Sequence, residues 1–262
     1  MQVVGYDAAE GALLLSDGDA DADADADAGG APTPVEYVGL DPGTELDYRL
    51  DRRHCAGVVG DDGHRACDAD AAPRCQAHAS TWVCAKCTGE CLKDEMDCFE
   101  DHAVYLAAFA PDAFKVGVTR EWRLETRLRE QGADRAAHLR TVEDGRLARE
   151  IEAGLAEDVP DRIRVATKRA GLGRDVDAAA WETLLSGFDP VATYDFEYGL
   201  GLTERPVAET MLTGVVRGTK GRLLVLDHAG STYAVDLRDL VGYEVTEGGT
   251  DRRLQSSLGA FG

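Results

Sequence analysis

The chain has 262 residues, with 49 acidic against 28 basic side chains and a formal net charge of −21. That balance excludes a protein that holds membranes or nucleic acid through bulk charge. Apolar runs such as Leu13-Leu14-Leu15 are far too short to cross a bilayer, and no basic stretch leading into an apolar one opens the chain, so a cytoplasmic location and no membrane partner are expected. Hydrophobic residues make up 44%, enough for a packed core. Arginine greatly outnumbers lysine and aspartate is abundant, a surface suited to a very salty cytoplasm.

Strand-like stretches at Gln2 to Tyr6, Leu13 to Leu15 and Val35 to Leu40 flank an alternating Asp-Ala run, Asp19 to Ala28, that buries nothing. The run is expected to sit in a disordered acidic insertion, residues 17–34, within a β-hairpin loop. From 51 to 102 the composition changes, because all seven cysteines and four of the six histidines fall there. Next, His102 to Phe109 and Phe114 to Val118 read as strands. Glu121 to Gln131, Arg146 to Asp158 and Ala178 to Leu185 read as helices, the first with Leu124 and Leu128 inward. The tail returns to β-branched runs, Met211 to Arg217, Arg222 to Asp227, Thr232 to Asp236 and Val241 to Thr246. A meander this short leaves a face uncovered, and the N-terminal strands lack partners, so the two chain ends are expected to build one small β-domain.

The cysteines fall into two ligand groups. Cys55, Cys67, Cys75 and His78 form one, ending in a C-x2-H pair. Cys84, Cys87, Cys91 and Cys98 form the other, with His102 as an alternative to Cys98 or Cys91. A C-x2-C turn sets two thiolates on one metal with little strain, and two four-ligand tetrahedra imply two structural zinc ions with no open position. Disulfides compete poorly, because the cysteine count is odd and a cytosol keeps thiols reduced. His54 reads as a surface residue, and Trp82, Trp122 and Trp181 as packing residues.

The 60 residues from Lys115 to Arg174 carry 14 basic and 11 acidic side chains, half of the chain's Lys and Arg. A locally basic layer in so acidic a chain points to an anionic partner, and zinc modules are frequent docking platforms for nucleic acid.

Several motifs together carry a resemblance. They are Cys84-Ala-Lys-Cys-Thr-Gly-Glu-Cys, His102-Ala-Val-Tyr-Leu-Ala-Ala-Phe, Lys115-Val-Gly-Val-Thr-Arg, Gly214-Val-Val-Arg-Gly-Thr-Lys-Gly and Val241-Gly-Tyr-Glu-Val. In combination the chain resembles an uncharacterised prokaryotic family, the domain of unknown function 2797, of haloarchaeal type. Within it, the two strands and helix resemble the core of the GIY-YIG nuclease superfamily, in the branch whose second motif reads Lys-Ile-Gly-x-Thr. The resemblance implies that Tyr105 helps activate water, that Arg127 meets the phosphate, and that Glu152 (or Glu150) holds one magnesium or manganese ion. Gly117 matches the glycine of the second motif. Lys115 stands where other branches have a second tyrosine, and the superfamily's late asparagine has no counterpart, since the chain contains no Asn.

The expected fold class is therefore α+β: a GIY-YIG-like α/β core (103–200), an inserted two-zinc Cys/His module (51–102), and a small β-domain from residues 1–50 and 201–262. The expected function is nucleic-acid binding with metal-dependent phosphodiester cleavage. The alternative is a catalytically inactive zinc adaptor for nucleic acid or a protein.

Overall fold

The computed structural model describes residues 1–17, 31–79, 99–250 and 252. Cys84, Cys87, Cys91, Cys98, Trp82 and the Asp-Ala run lie outside the described residues.

In chain order the first strands are β1 (Gln2–Asp7), β2 (Ala12–Ser16), β3 (Glu36–Gly39), β4 (Glu45–Arg53), β5 (Val58–Gly60) and β6 (Gly63–Arg65). Then come β7 (His102–Phe109), β8 (Ala113–Arg120), α1 (Leu124–Gln131), β9 (Arg135–Val142), α2 (Gly145–Leu155), α3 (Val165–Ala170), α4 (Ala178–Leu185) and β10 (Ala192–Asp195). The tail holds β11 (Val207–Ala208), β12 (Leu212–Lys220), β13 (Leu223–His228), β14 (Ser231–Asp236), α5 (Leu237–Leu240) and β15 (Tyr243–Glu247). The chain is thus a strand-rich α+β protein. None of the described helices is long and apolar enough to cross a membrane.

The described residues fall into two compact units, Met1–Ser80 with Pro206–Gly262, and Thr81–Arg205. The first holds a nine-stranded sheet in the order β11-β14-β13-β12-β4-β15-β1-β2-β3. Strands from both chain ends meet in it, Gln2 of β1 opposite Glu244 of β15. At its centre β4 pairs with β12 through Leu46 and Gly214, and with β15 through Leu50 and Val245. Alternation explains β4, because Leu46, Tyr48 and Leu50 face the core while charged residues between them meet water. Val3, Leu13, Leu15, Leu212, Leu226, Tyr233 and Val245 complete that core. Each such side chain contributes about 1.5–3 kcal/mol through burial.

Gly242 closes this unit around the cysteine segment. Its N–H donates to Val3 O and its carbonyl accepts from His54 N, at 2.8 and 2.9 Å. A β-carbon there would lie 2.3 Å from His54 O, and φ is +95°, so only glycine serves. Thr33, expected in a disordered loop, is instead ordered: it exchanges 2.8 Å backbone hydrogen bonds with His64, and its hydroxyl lies 2.8 Å from that of Ser16.

The second unit is built on the sheet β10-β9-β7-β8, antiparallel throughout. Strand β7 is buried on both faces. Ala103, Tyr105, Ala107 and Phe109 pack with Leu124 and Leu128 of α1, while Val104, Leu106 and Ala108 pack with Ala148 of α2 and Trp181 of α4. The alanines of β7 leave room for helices on either side. The stretch expected as one helix from Glu121 opens as a 3-10 turn, Glu121–Arg123, before α1 begins. Helix α2 stops at Leu155, short of the expected Asp158, as the chain prepares for Pro160. Its start is capped by Asp144, which accepts from the N–H groups of Arg146 and Leu147.

Candidate functional site

The metal-ligating group grows out of local geometry. Cys55 and Cys67 are separated by the β5–β6 hairpin, which folds the chain back and brings the two thiols together. Cys75 and His78 come from a turn in which His78 N and Ala79 N donate to Cys75 O. The loop is tied to β1 by Arg74, whose guanidinium donates to Val4 O and Gly57 O.

The ligand atoms of Cys55, Cys67, Cys75 and His78 all lie within 4.8 Å of one another. Zn–S bonds of about 2.3 Å and Zn–N bonds of about 2.0–2.1 Å give tetrahedral edges of about 3.8 Å between sulfurs and about 3.5 Å from sulfur to nitrogen. The matching separations are 4.0 Å for Cys67 Sγ to Cys75 Sγ, and 3.4 Å from His78 Nδ1 to each of Cys55 Sγ and Cys75 Sγ. The three cysteines are free, and a sulfur pair 4.0 Å apart is no disulfide. Burial, with the neighbouring thiols, pushes Cys67 up to about 11. Desolvation works against the Cys75 thiolate as well, but donation from the backbone of His78 and Ala77 and from the Cys55 thiol outweighs it and draws that thiol below its ordinary value. This Cys3His set can hold a metal ion such as zinc.

His54 corrects its sequence reading. It is buried, at 7% exposure, and braces the ligand group. Its Nδ1 donates to Cys67 O at 3.0 Å, and its Nε2 lies 3.1 Å from Glu244 of β15. Gln2 donates to Cys55 O and Gly242 O beside it. Strands β1 and β15, the first and last in chain order among the described residues, therefore grip the chain at His54 and Cys55.

A second group gathers along the edge strand β8. Tyr105 on β7 lies opposite Gly117 on β8, and a β-carbon at Gly117 would stand 2.5 Å from the tyrosine's Cζ and hydroxyl. The hydroxyl accepts from Gln131 Nε2 at 2.7 Å, at the end of α1. Lys115 Nζ stands 5.9 Å from the ring centroid. Tyr105 is held above the usual phenol range, first by burial and also by Glu152, with Gln131, Arg127 and Arg149 opposing. Burial pushes the Lys115 amine down to about 8, with Glu152 and Asp161 supporting its charge and Arg127 and Arg149 opposing it.

Arg127 and Glu152 thus both lie within electrostatic reach of Tyr105 and of Lys115. Of the two glutamates weighed, Glu152 faces this group, 12% exposed and bound to Arg149 Nη1 at 2.6 Å. Glu150 is 57% exposed and pairs with Arg146. Arg127 is held by Glu130, which also binds Arg123. Gln131 and Arg149 escaped the sequence reading. Their helical spacing could have found them, since Gln131 follows Arg127 by four residues and Arg149 precedes Glu152 by three. His102, the alternative zinc ligand, rests its Nδ1 on Glu100 O at 2.6 Å. Trp181 is buried, but Trp122 corrects its reading as a packing residue, since it is 71% exposed.

By fold and site, then, this is a strand-rich α+β protein carrying a Cys3His group with the geometry of a metal centre. It belongs to the family described as Protein of unknown function (DUF2797), which matches residues 61–245. The matched span contains Cys67, Cys75, His78, Tyr105, Arg127 and Glu152, and leaves Cys55 outside. No curated protein and no solved structure matches the chain.

Proposed function

We propose that this protein is a zinc-containing nucleic-acid-binding protein in which Tyr105, Lys115, Arg127 and Glu152 form a GIY-YIG-like site for a phosphodiester. One observation carries the reading: Arg127 of α1 and Glu152 of α2 both act on Tyr105 of β7, beside Lys115 of β8. Lys115 and Arg127 supply positive charge for phosphate oxygens. Tyr105 offers a hydroxyl whose lone pair is fixed by Gln131. The basic excess between Lys115 and Arg174 gives the same partner a wider footing in an otherwise acidic chain. Zinc at Cys55, Cys67, Cys75 and His78 is structural in this reading, and Cys84, Cys87, Cys91 and Cys98 would take a second ion.

Magnesium or manganese fits as a substrate-borne ion. Glu152 is one carboxylate facing Lys115, Arg127 and Arg149, and magnesium is commonly held by one or two carboxylates together with substrate phosphates. When bound, the ion would supply charge for the developing phosphorane and lower the pKa of a water. A second reading, a non-cleaving adaptor, is favoured by the 2.6 Å bond that ties Glu152 to Arg149.

The deciding experiment incubates the protein with single-stranded, duplex and branched DNA and RNA across a salt series, with magnesium or manganese. Cleavage that disappears in Glu152→Gln while binding persists supports the nuclease. Binding without cleavage leaves the adaptor. Absence of binding in every arm overturns both.

A further inference from the structure

Among the described residues Trp122 has no packing role. It lies in the 3-10 turn between β8 and α1, and its indole is 71% exposed in a chain whose aromatic content is 6%. Yet it is held. Its Nε1 donates to Glu100 Oε2 at 3.3 Å, and the same carboxylate oxygen takes Arg120 Nε at 3.1 Å. The guanidinium of Arg123 stands 5.9 Å from the ring centroid. One edge of the indole is therefore fixed while most of its surface faces water. Exposed, oriented aromatics flanked by guanidinium groups are the platforms on which single-stranded nucleic acids stack their bases.

The ring is also joined to the phosphodiester site. Arg123 binds Glu130 Oε1 at 2.7 Å, and Arg127 binds Glu130 Oε2 at 3.0 Å. Trp122, Arg123, Glu130 and Arg127 are thus linked by successive contacts. Trp122 stands five positions before Arg127, across the join between the 3-10 turn and α1. Arg120, Arg123 and Arg127 set guanidinium groups beside these contacts, each paired with Glu100 or Glu130.

We infer that Trp122 is a base-stacking platform, and that the ligand of this unit presents an unpaired base there while its backbone meets Arg127. The partner class is single-stranded or locally unpaired nucleic acid, because a base inside a duplex has no free face. The inference rests on the nucleic-acid reading above and narrows it.

The test uses the full chain and fluorescein-labelled mixed-sequence 20-mers of DNA and RNA, single-stranded and as duplexes, followed by anisotropy. Trp122→Ala should weaken single-strand binding by about 5- to 150-fold, the range for losing one stacked base, and leave duplex binding unchanged. Trp122→Phe should keep most of the affinity but lose most of the tryptophan quenching that the single strand causes in the parent protein. Arg127→Gln should weaken both forms. If Arg127→Gln weakens binding while Trp122→Ala binds single strands as tightly as the parent, stacking is overturned and the nucleic-acid reading stands. An equal loss for single strand and duplex in Trp122→Ala overturns stacking as well. A parent protein that binds neither form overturns both.

Discussion

The ring of Tyr105 lies against the backbone of Gly117 so closely that a single methyl group at Gly117 would collide with the phenol hydroxyl at 2.5 Å. This contact sets the height of the tyrosine over the sheet and lets Gln131 reach its oxygen at 2.7 Å. The glycine is therefore a condition for the site and for the core beneath it.

Gly117→Ala is expected to destabilise the fold by about 1–3 kcal/mol, the usual cost of overpacking a tight contact. Urea unfolding followed by circular dichroism measures the loss. A variant as stable as the parent means the ring turns aside at no cost.

The Cys3His group should bind zinc in the purified protein, and Cys75→Ser should lose one zinc equivalent by elemental analysis. Because zinc binding to such sets is worth about 10–16 kcal/mol in small domains, the loop from Cys55 to His78 should then become sensitive to proteolysis. Replacement by cobalt should give thiolate-to-metal charge-transfer absorption that Cys75→Ser weakens. Failure of cobalt to show any thiolate band in the parent protein would exclude the site.

Arg149→Ala should leave the Glu152 carboxylate, only 12% exposed, without its 2.6 Å partner. Stability is expected to fall by about 1–3 kcal/mol, the cost of stranding a partly buried acceptor. Affinity for manganese, read by electron paramagnetic resonance, should rise because one competing cation is gone. Unchanged manganese binding would mean that Glu152 does not face an approachable ion.

Lys115 gives a pH signature. Its amine titrates near 8 in the folded protein against 10.5 for an unperturbed lysine, chiefly through burial. Below about 8 both states carry the charge, and the folded state bears the full cost of burying it. As pH rises from about 8 to 10.5 the folded chain releases its proton first, so stability increases with pH across that window. Lys115→Met should remove this slope and be the more stable protein below pH 8, by up to about 3 kcal/mol. Parallel curves for the two proteins between pH 7 and 10.5 would mean that the amine keeps its charge in water.

Legibility in the sequence followed local pattern. Strand β7 and helix α4 were readable to the residue because an apolar run and an apolar periodicity coincide with their ends. The Cys-x2-His turn was legible for the same reason. By contrast β4 and β9, each interior to its sheet, were missed. In Glu-Leu-Asp-Tyr-Arg-Leu-Asp-Arg-Arg the charges outnumber the apolar residues that carry the alternation, and Arg-Ala-Ala-His-Leu-Arg-Thr-Val holds few β-branched residues. His54 was misread because its burial depends on Gln2, Cys67 and Glu244, partners that only the closed sheet brings near. The exposure of Trp122 was hidden likewise, since a tryptophan beside an amphipathic helix looks like core until the helix is docked.

The place of β4 between β12 and β15 has a consequence for synthesis on the ribosome. When β4 ends at Arg53, both of its neighbours are still untranslated, and the first of them begins at Leu212. The cysteine loop emerges early but its brace from Glu244 arrives late. The unit from Thr81 to Arg205 is continuous in the chain and can complete its contacts while the N-terminal strands wait. During that interval β1 and β4 expose unpaired edges, and the dense aspartates around them offer charge repulsion against premature pairing with other nascent chains.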